Sequence, residues 1–137
     1  MVNLSTPLGL GLALAGRGRI RRGPDGLLVA HAVRLPARAP SFTVGNVVLL
    51  RLDDAALARR PRLLVHEARH ATQYACCGGL VMVPLYLAAA AVSWLLTGDT
   101  GCRNVFERRA GLTDGGYTNK PLRPALRRTG RSVAQAR

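Results

Sequence analysis

Residues 80–97, LVMVPLYLAAAAVSWLLT, carry no charged side chain in a chain that is 20% charged. A helix-length run of this kind must be covered by protein or by lipid, and its surroundings decide which. Gly78-Gly79 precedes it and Gly98 follows it, so it reads as one separate apolar helix. Its eighteen residues fall short of the roughly 20 that span a bilayer, Pro84 lies one turn in, and the Ala88–Ala91 run is only weakly hydrophobic. A buried hairpin partner for the preceding helix is one expectation. Contact with a membrane surface is a second, and a true span is the third.

The remaining core must come from shorter elements. The 137 residues amount to about one domain. Apolar residues make up 48% of the chain but aromatics only 4%, so Leu, Ala and Val fill the interior. In the first 40 residues, short apolar runs alternate with turn chemistry. RIRRGPDGLLVAHAVRLP predicts two short strands about the Gly23-Pro24-Asp25-Gly26 turn. SFTVGNVVLLRL, 41–52, predicts a strand with a bulge or a tight turn at Gly45-Asn46. Asp53 or Asp54 caps a short helix through Arg60. Pro61 then suits the first turn of a longer helix over 61–77, and Gly78-Gly79 is its stop signal. After the loop at 98–104, NVFERRAGL reads as a short helix closed by Gly111. The expected class is α+β: a small N-terminal β-sheet, the long helix, its apolar hairpin partner and a short third helix. These form one domain over 1–116, and 117–137 is a Pro-broken basic tail expected to be solvated.

The long helix contains His66-Glu67-Ala68-Arg69-His70. Residues i and i+4 stand on one helix face with Cβ atoms about 5–6 Å apart, so both imidazoles can reach one Zn²⁺. Glu67 projects about 100° further round, where its carboxylate can take a proton from water without occupying a coordination position. Two of the three histidines and one of the two glutamates of the chain lie in this pattern. A catalytic zinc site needs a third protein ligand, and Glu107 in NVFERRAG is the remaining glutamate. Asn104 stands three residues before it, so Glu107 also fits the N3 position of a capping box. Asp99, Cys102 and Asp114 are the reserve ligands. Tyr117 is a candidate donor to a developing oxyanion. Gln73 continues the histidine face, either near the metal or as an ordinary polar residue. His31, Cys76, Cys77 and Arg69 read as packing or surface residues.

The formal charge is +13, yet of the 20 basic residues only Lys120 is lysine. That imbalance reflects compositional bias as much as a basic surface. It still favours anionic partners, with acidic lipid beside 80–97 or nucleic acid on the Arg-rich tail as the alternatives. The chain has no recognisable nucleic-acid reading motif and few aromatics for stacking, which counts against nucleic acid. Three irregularly spaced cysteines are no disulfide framework and point to a reducing, cytoplasmic compartment. Basic residues follow the Leu8–Ala15 apolar run rather than precede it, the wrong order for a secretory signal.

FTVGNVVLL followed by LLVHEARHATQ resembles the metallopeptidase domain associated with extracellular contractile injection systems. Those domains pair a T-x-G-x-x-(Val/Ile) strand with a helix of the form L-L-x-H-E-x-x-H-x-x-Q. RNVFERRAG similarly resembles the Asn-x-Phe-Glu-x-x-Ala segment that follows an apolar helix in related small bacterial proteins. The resemblance covers about residues 40–112. It implies a minimal zincin in which His66, His70 and Glu107 hold Zn²⁺ and Glu67 is the general base. It also implies hydrolysis of a peptide or protein substrate. A catalytically silent metal-binding relative is the alternative.

Overall fold

A computed structural model of the chain describes residues 4–34 and 39–124, so the basic segment 125–137 lies outside the described residues. The elements in chain order are α1 (Ser5–Ala15), β1 (Arg19–Arg22), β2 (Leu28–His31), β3 (Ser41–Val44), β4 (Val47–Leu50), α2 (Asp54–Ala58), α3 (Leu63–Cys76), α4 (Met82–Thr97) and α5 (Val105–Gly111). The chain is α+β, a four-stranded sheet with α1 before it and the other helices after it. It divides into two compact units, Met1–Pro84 and Leu85–Arg137.

In the first unit the strand order is β1-β2-β4-β3. β2 and β4 are parallel, while the outer pairs β1·β2 and β3·β4 are antiparallel. Successive side chains of a strand point to opposite faces, and here both faces are covered. Val47 and Leu49 pack with Ala13 of α1, Ala30 and Val44. Val48 and Leu50 pack on the other side with Leu27 and Val29, against Leu57 of α2 and Leu64, Ala68 and Ala71 of α3. Burial on both faces explains why Val47–Leu50 is an unbroken apolar run.

The 41–52 segment is therefore not one strand but a hairpin turning at Gly45-Asn46. Gly45 has φ +65° and Asn46 does not share the positive φ, as in a type II′ turn, whose twist suits a two-residue hairpin. Asn46 ties that turn to its surroundings. Its N–H donates to Thr6 Oγ1 at 3.2 Å, and its carbonyl accepts from the Leu28 N–H at 2.9 Å.

α1 is not expected from the sequence, because Gly9 and Gly11 lower its helix propensity, and in the structure no side chain caps its first turn. Packing supplies what propensity lacks. A Cβ built at Gly9 would lie 2.8 Å from Val47 Cβ and nearer still to the Val44 carbonyl oxygen, so only glycine lets the helix seat on the sheet. Gly9→Ala gains about 1 kcal/mol in helix propensity. It is nonetheless expected to destabilise the protein by about 1–3 kcal/mol through overpacking. Urea denaturation checks this, and a variant more stable than the parent would rule it out.

The later elements follow their local signals. Asp53 caps α2 by accepting from the Ala56 N–H at 2.6 Å. α3 stops where the Gly79 N–H donates to the Tyr74 carbonyl at 2.7 Å. The charge-free run forms α4, but it is not buried all round. Ala90 and Ser93 are buried while Leu85, Leu87, Val92, Trp94 and Leu95 remain exposed. No helix among the described residues is long and apolar enough to cross a membrane.

Within the stretch expected as a basic tail, residues 117–123 are held in the second unit. The Tyr117 N–H donates to the Leu112 carbonyl and the Arg123 N–H to that of Leu96.

Candidate metal centre

α3 carries a partly buried stripe and a fully buried one. At about 100° per residue, Leu64, Ala68 and Ala71 face the sheet, while Leu63, His66, His70 and Tyr74 form the neighbouring stripe. Glu67 falls between them and is only 3% exposed. Its carboxylate is held by the edge strand β3: Ser41 Oγ donates to Oε1 and Thr43 Oγ1 to Oε2, each at 2.6 Å. Register explains why these two hydroxyls point at α3. Ser41 pairs with Leu50 and Thr43 with Val48, the two β4 residues that face the same helix.

On the histidine stripe, the Nε2 atoms of His66 and His70 lie 3.1 Å apart, with the rings edge to face at 84°. His70 Nδ1 is 2.9 Å from Gln73 Oε1. With that amide oxygen accepting, the His70 proton sits on Nδ1, leaving the Nε2 lone pair to a ligand. Gln73, one turn beyond His70, thus orients the ring.

In the second unit Asn104 caps α5 by accepting from the Phe106 N–H at 3.0 Å. A capping box would offer the Asn104 N–H to the Glu107 carboxylate, but that N–H donates to the Gly101 carbonyl at 2.9 Å. The buried Glu107 carboxylate accepts instead from the Tyr86 hydroxyl of α4. Burial, then the Glu107 charge and hydrogen bond, then Tyr117 hold the Tyr86 phenol far above its ordinary range, so it stays a donor. Tyr117 therefore belongs to the hydrogen-bonded surroundings of Glu107. Its ring rests on Gly101, where an added Cβ would meet Tyr117 Cγ at 2.8 Å.

His66, His70 and Glu107 are all buried, and each offers a ligand atom within 4.8 Å of the others. The group could hold a metal ion. Two donors 2.0–2.1 Å from a tetrahedral ion stand about 3.4 Å apart, close to the separation of the two imidazole nitrogens. Among the described residues no other three His, Cys, Asp or Glu side chains are so arranged.

The reserve ligands have other uses. Asp99 Oδ1 accepts from the Gly101 and Cys102 N–H groups, and Oδ2 pairs with Lys120 at 2.6 Å. The Lys120 hydrogen bond chiefly holds the Asp99 carboxyl below its ordinary value. Cys102 Sγ lies 3.0 Å from Thr97 Oγ1. Asp114 stands outside the three-residue group. His31 Nδ1 lies 3.1 Å from Asp54 Oδ1, and Cys76 and Cys77 end α3 as free thiols.

Sequence reasoning missed Tyr86, Ser41 and Thr43. The only signal for Tyr86 is that it is the single tyrosine in the charge-free run. Tyr86→Phe keeps the ring but removes the donor to a buried carboxylate. Losing such an outer hydrogen bond is expected to weaken metal affinity about tenfold to a hundredfold, which isothermal titration would show. An unchanged affinity would separate Tyr86 from the metal centre.

Comparison with protein-family models, curated proteins and solved structures finds no match to this chain.

Proposed function

We propose that the chain is a zinc-dependent hydrolase acting on peptide bonds, a zincin of the kind its H-E-x-x-H segment resembles. The observation that carries the reading is the buried His66, His70 and Glu107 group. Two imidazoles and one carboxylate are a donor set that suits zinc and leaves one position open for chemistry. Bound there, zinc would supply the Lewis acidity that makes water nucleophilic near neutral pH. Gln73 orients His70, and the Tyr86 hydroxyl orients Glu107.

Glu67 is the general base in this reading. A carboxylate has about four lone-pair sites, so the Ser41 and Thr43 hydroxyls fix its position and still leave acceptor capacity for the proton of an attacking water. The proton then passes to the leaving amine. β3 lies at the sheet edge and brings Ser41 and Thr43 to Glu67, so an extended peptide pairing along it would run beside the base. Three free thiols suit a cytoplasmic setting.

The same hydroxyl clamp favours a second reading, in which Glu67 is a structural group and the protein binds metal without hydrolysis. One experiment separates the two. Zinc content is measured by elemental mass spectrometry, and hydrolysis is measured on a peptide library, for the parent and for Glu67→Gln. The hydrolase reading expects about one zinc per chain in both proteins and a loss of at least about a hundredfold in hydrolysis in the variant. Zinc in both with no hydrolysis by either supports the silent relative. No zinc in the parent, even after addition, removes both.

A further inference from the structure

α4 presents an apolar face that the fold leaves open. Leu85, Leu87, Val92, Trp94 and Leu95 are between 47% and 61% exposed. At about 100° per residue they fall within roughly half the helix circumference. The opposite side holds Ala90 and Ser93, which are buried, and the half-buried Tyr86. Ser93 anchors that side to the following loop, donating to the Asp99 carbonyl at 2.6 Å and accepting from the Arg103 N–H at 2.9 Å. The open side contains no acid and no base.

Its rim is cationic. The Arg123 guanidinium lies over the Trp94 ring, 4.8 Å from the centroid, and the Arg123 N–H donates to the Leu96 carbonyl. The chain is thus fastened to the C-terminal end of the apolar face just before residues 125–137, which add four arginines and no acidic residue. An apolar helix face, a tryptophan at its margin and arginines beyond it are the features that bind an anionic bilayer surface.

We infer that α4 is a membrane-surface helix, its open face lying among the acyl-chain ends of an anionic bilayer with Arg123 among the headgroups. Length agrees with lying on the surface. Sixteen residues extend about 24 Å, short of the roughly 30 Å hydrocarbon core. A second copy of the chain is a poor occupant, because pairing these faces would bring together two chains of charge +13, each with Arg123 at the edge of the face. The inference does not depend on the metal centre.

Trp94 is the only tryptophan, so its emission reports on this face alone. The full chain is mixed with phosphatidylcholine vesicles with and without phosphatidylglycerol, some carrying brominated acyl chains. The expected result is a blue shift and bromine quenching with phosphatidylglycerol, both weakened by salt. Leu87→Glu and Leu95→Glu change exposed positions and are expected to leave the far-UV spectrum intact. Each should reduce vesicle binding by about tenfold or more, because a charge replaces a side chain buried in lipid. Three outcomes overturn the inference: no binding, binding without a Trp94 response, or binding that both variants retain in full. A blue shift that grows with protein concentration in the absence of lipid would do the same, and would assign the face to a second copy.

Discussion

Protein purified with His66→Ala or His70→Ala is expected to contain no stoichiometric zinc, and the parent is expected to contain about one ion per chain. Each substitution removes one of three protein donors. The loss should therefore exceed the tenfold to hundredfold expected of Tyr86→Phe, which only removes a hydrogen bond to a ligand. The histidines are buried, so folding is checked by circular dichroism, and His70→Gln provides a variant that leaves less of a cavity. Thermal unfolding gives an independent reading. A ligand that binds only the folded state adds about 4 kcal/mol at a thousand times its Kd, so added zinc should raise the parent's Tm and leave the alanine variants unmoved. Acid should act in the same direction as the substitutions, since protons compete for the imidazole nitrogens.

The contrary picture is specific. Imidazoles whose Nε2 atoms lie 3.1 Å apart can share one proton as an ordinary hydrogen bond. In that case zinc would not shift the parent's Tm. The alanine variants would then lose only the stability of a filled cavity and a buried hydrogen bond.

What could be read from the sequence was whatever is local. The two histidines are one helical turn apart, and the helix stop at Gly78-Gly79, the Asp53 cap and the Asn104 cap are each encoded within a few residues. What could not be read depends on distant pairing. Ser41 and Thr43 alternate with Phe42 and Val44, a pattern that in an isolated strand suggests a polar face turned to water. The hairpin register turns those hydroxyls inward, onto a carboxylate 24 and 26 residues away.

α1 went unread for a related reason. Its glycines lower helix propensity locally, yet Gly9 is required by close contact with Val44 and Val47. In α4 an almost uniformly apolar sequence has no periodic contrast, so nothing local tells the buried half from the open one.

The hydroxyl clamp carries the second large prediction. Ser41→Ala with Thr43→Val removes both donors to a carboxylate that is only 3% exposed, and nearly preserves side-chain shape. Hydrogen bonds to a charged group contribute about 1.5–3 kcal/mol each, so the double variant is expected to lose at least about 3 kcal/mol and more than the two single losses together. Against a typical total of roughly 5–15 kcal/mol, that brings the fold close to its limit. The two substitutions share one partner and should not be additive, because the first leaves one donor in place and the second leaves the charge with neither. Glu67→Gln is expected to cost far less, about 1 kcal/mol, since the amide can accept from one hydroxyl and donate to the other. Adding Glu67→Met to the double variant should restore much of the loss, because it removes the charge that lacks partners. Chemical denaturation of the parent, the two single variants, the double variant, Glu67→Gln and the triple variant measures each step. If the double variant matches the parent within about 0.5 kcal/mol, the carboxylate draws its support from elsewhere and β3 does not position Glu67.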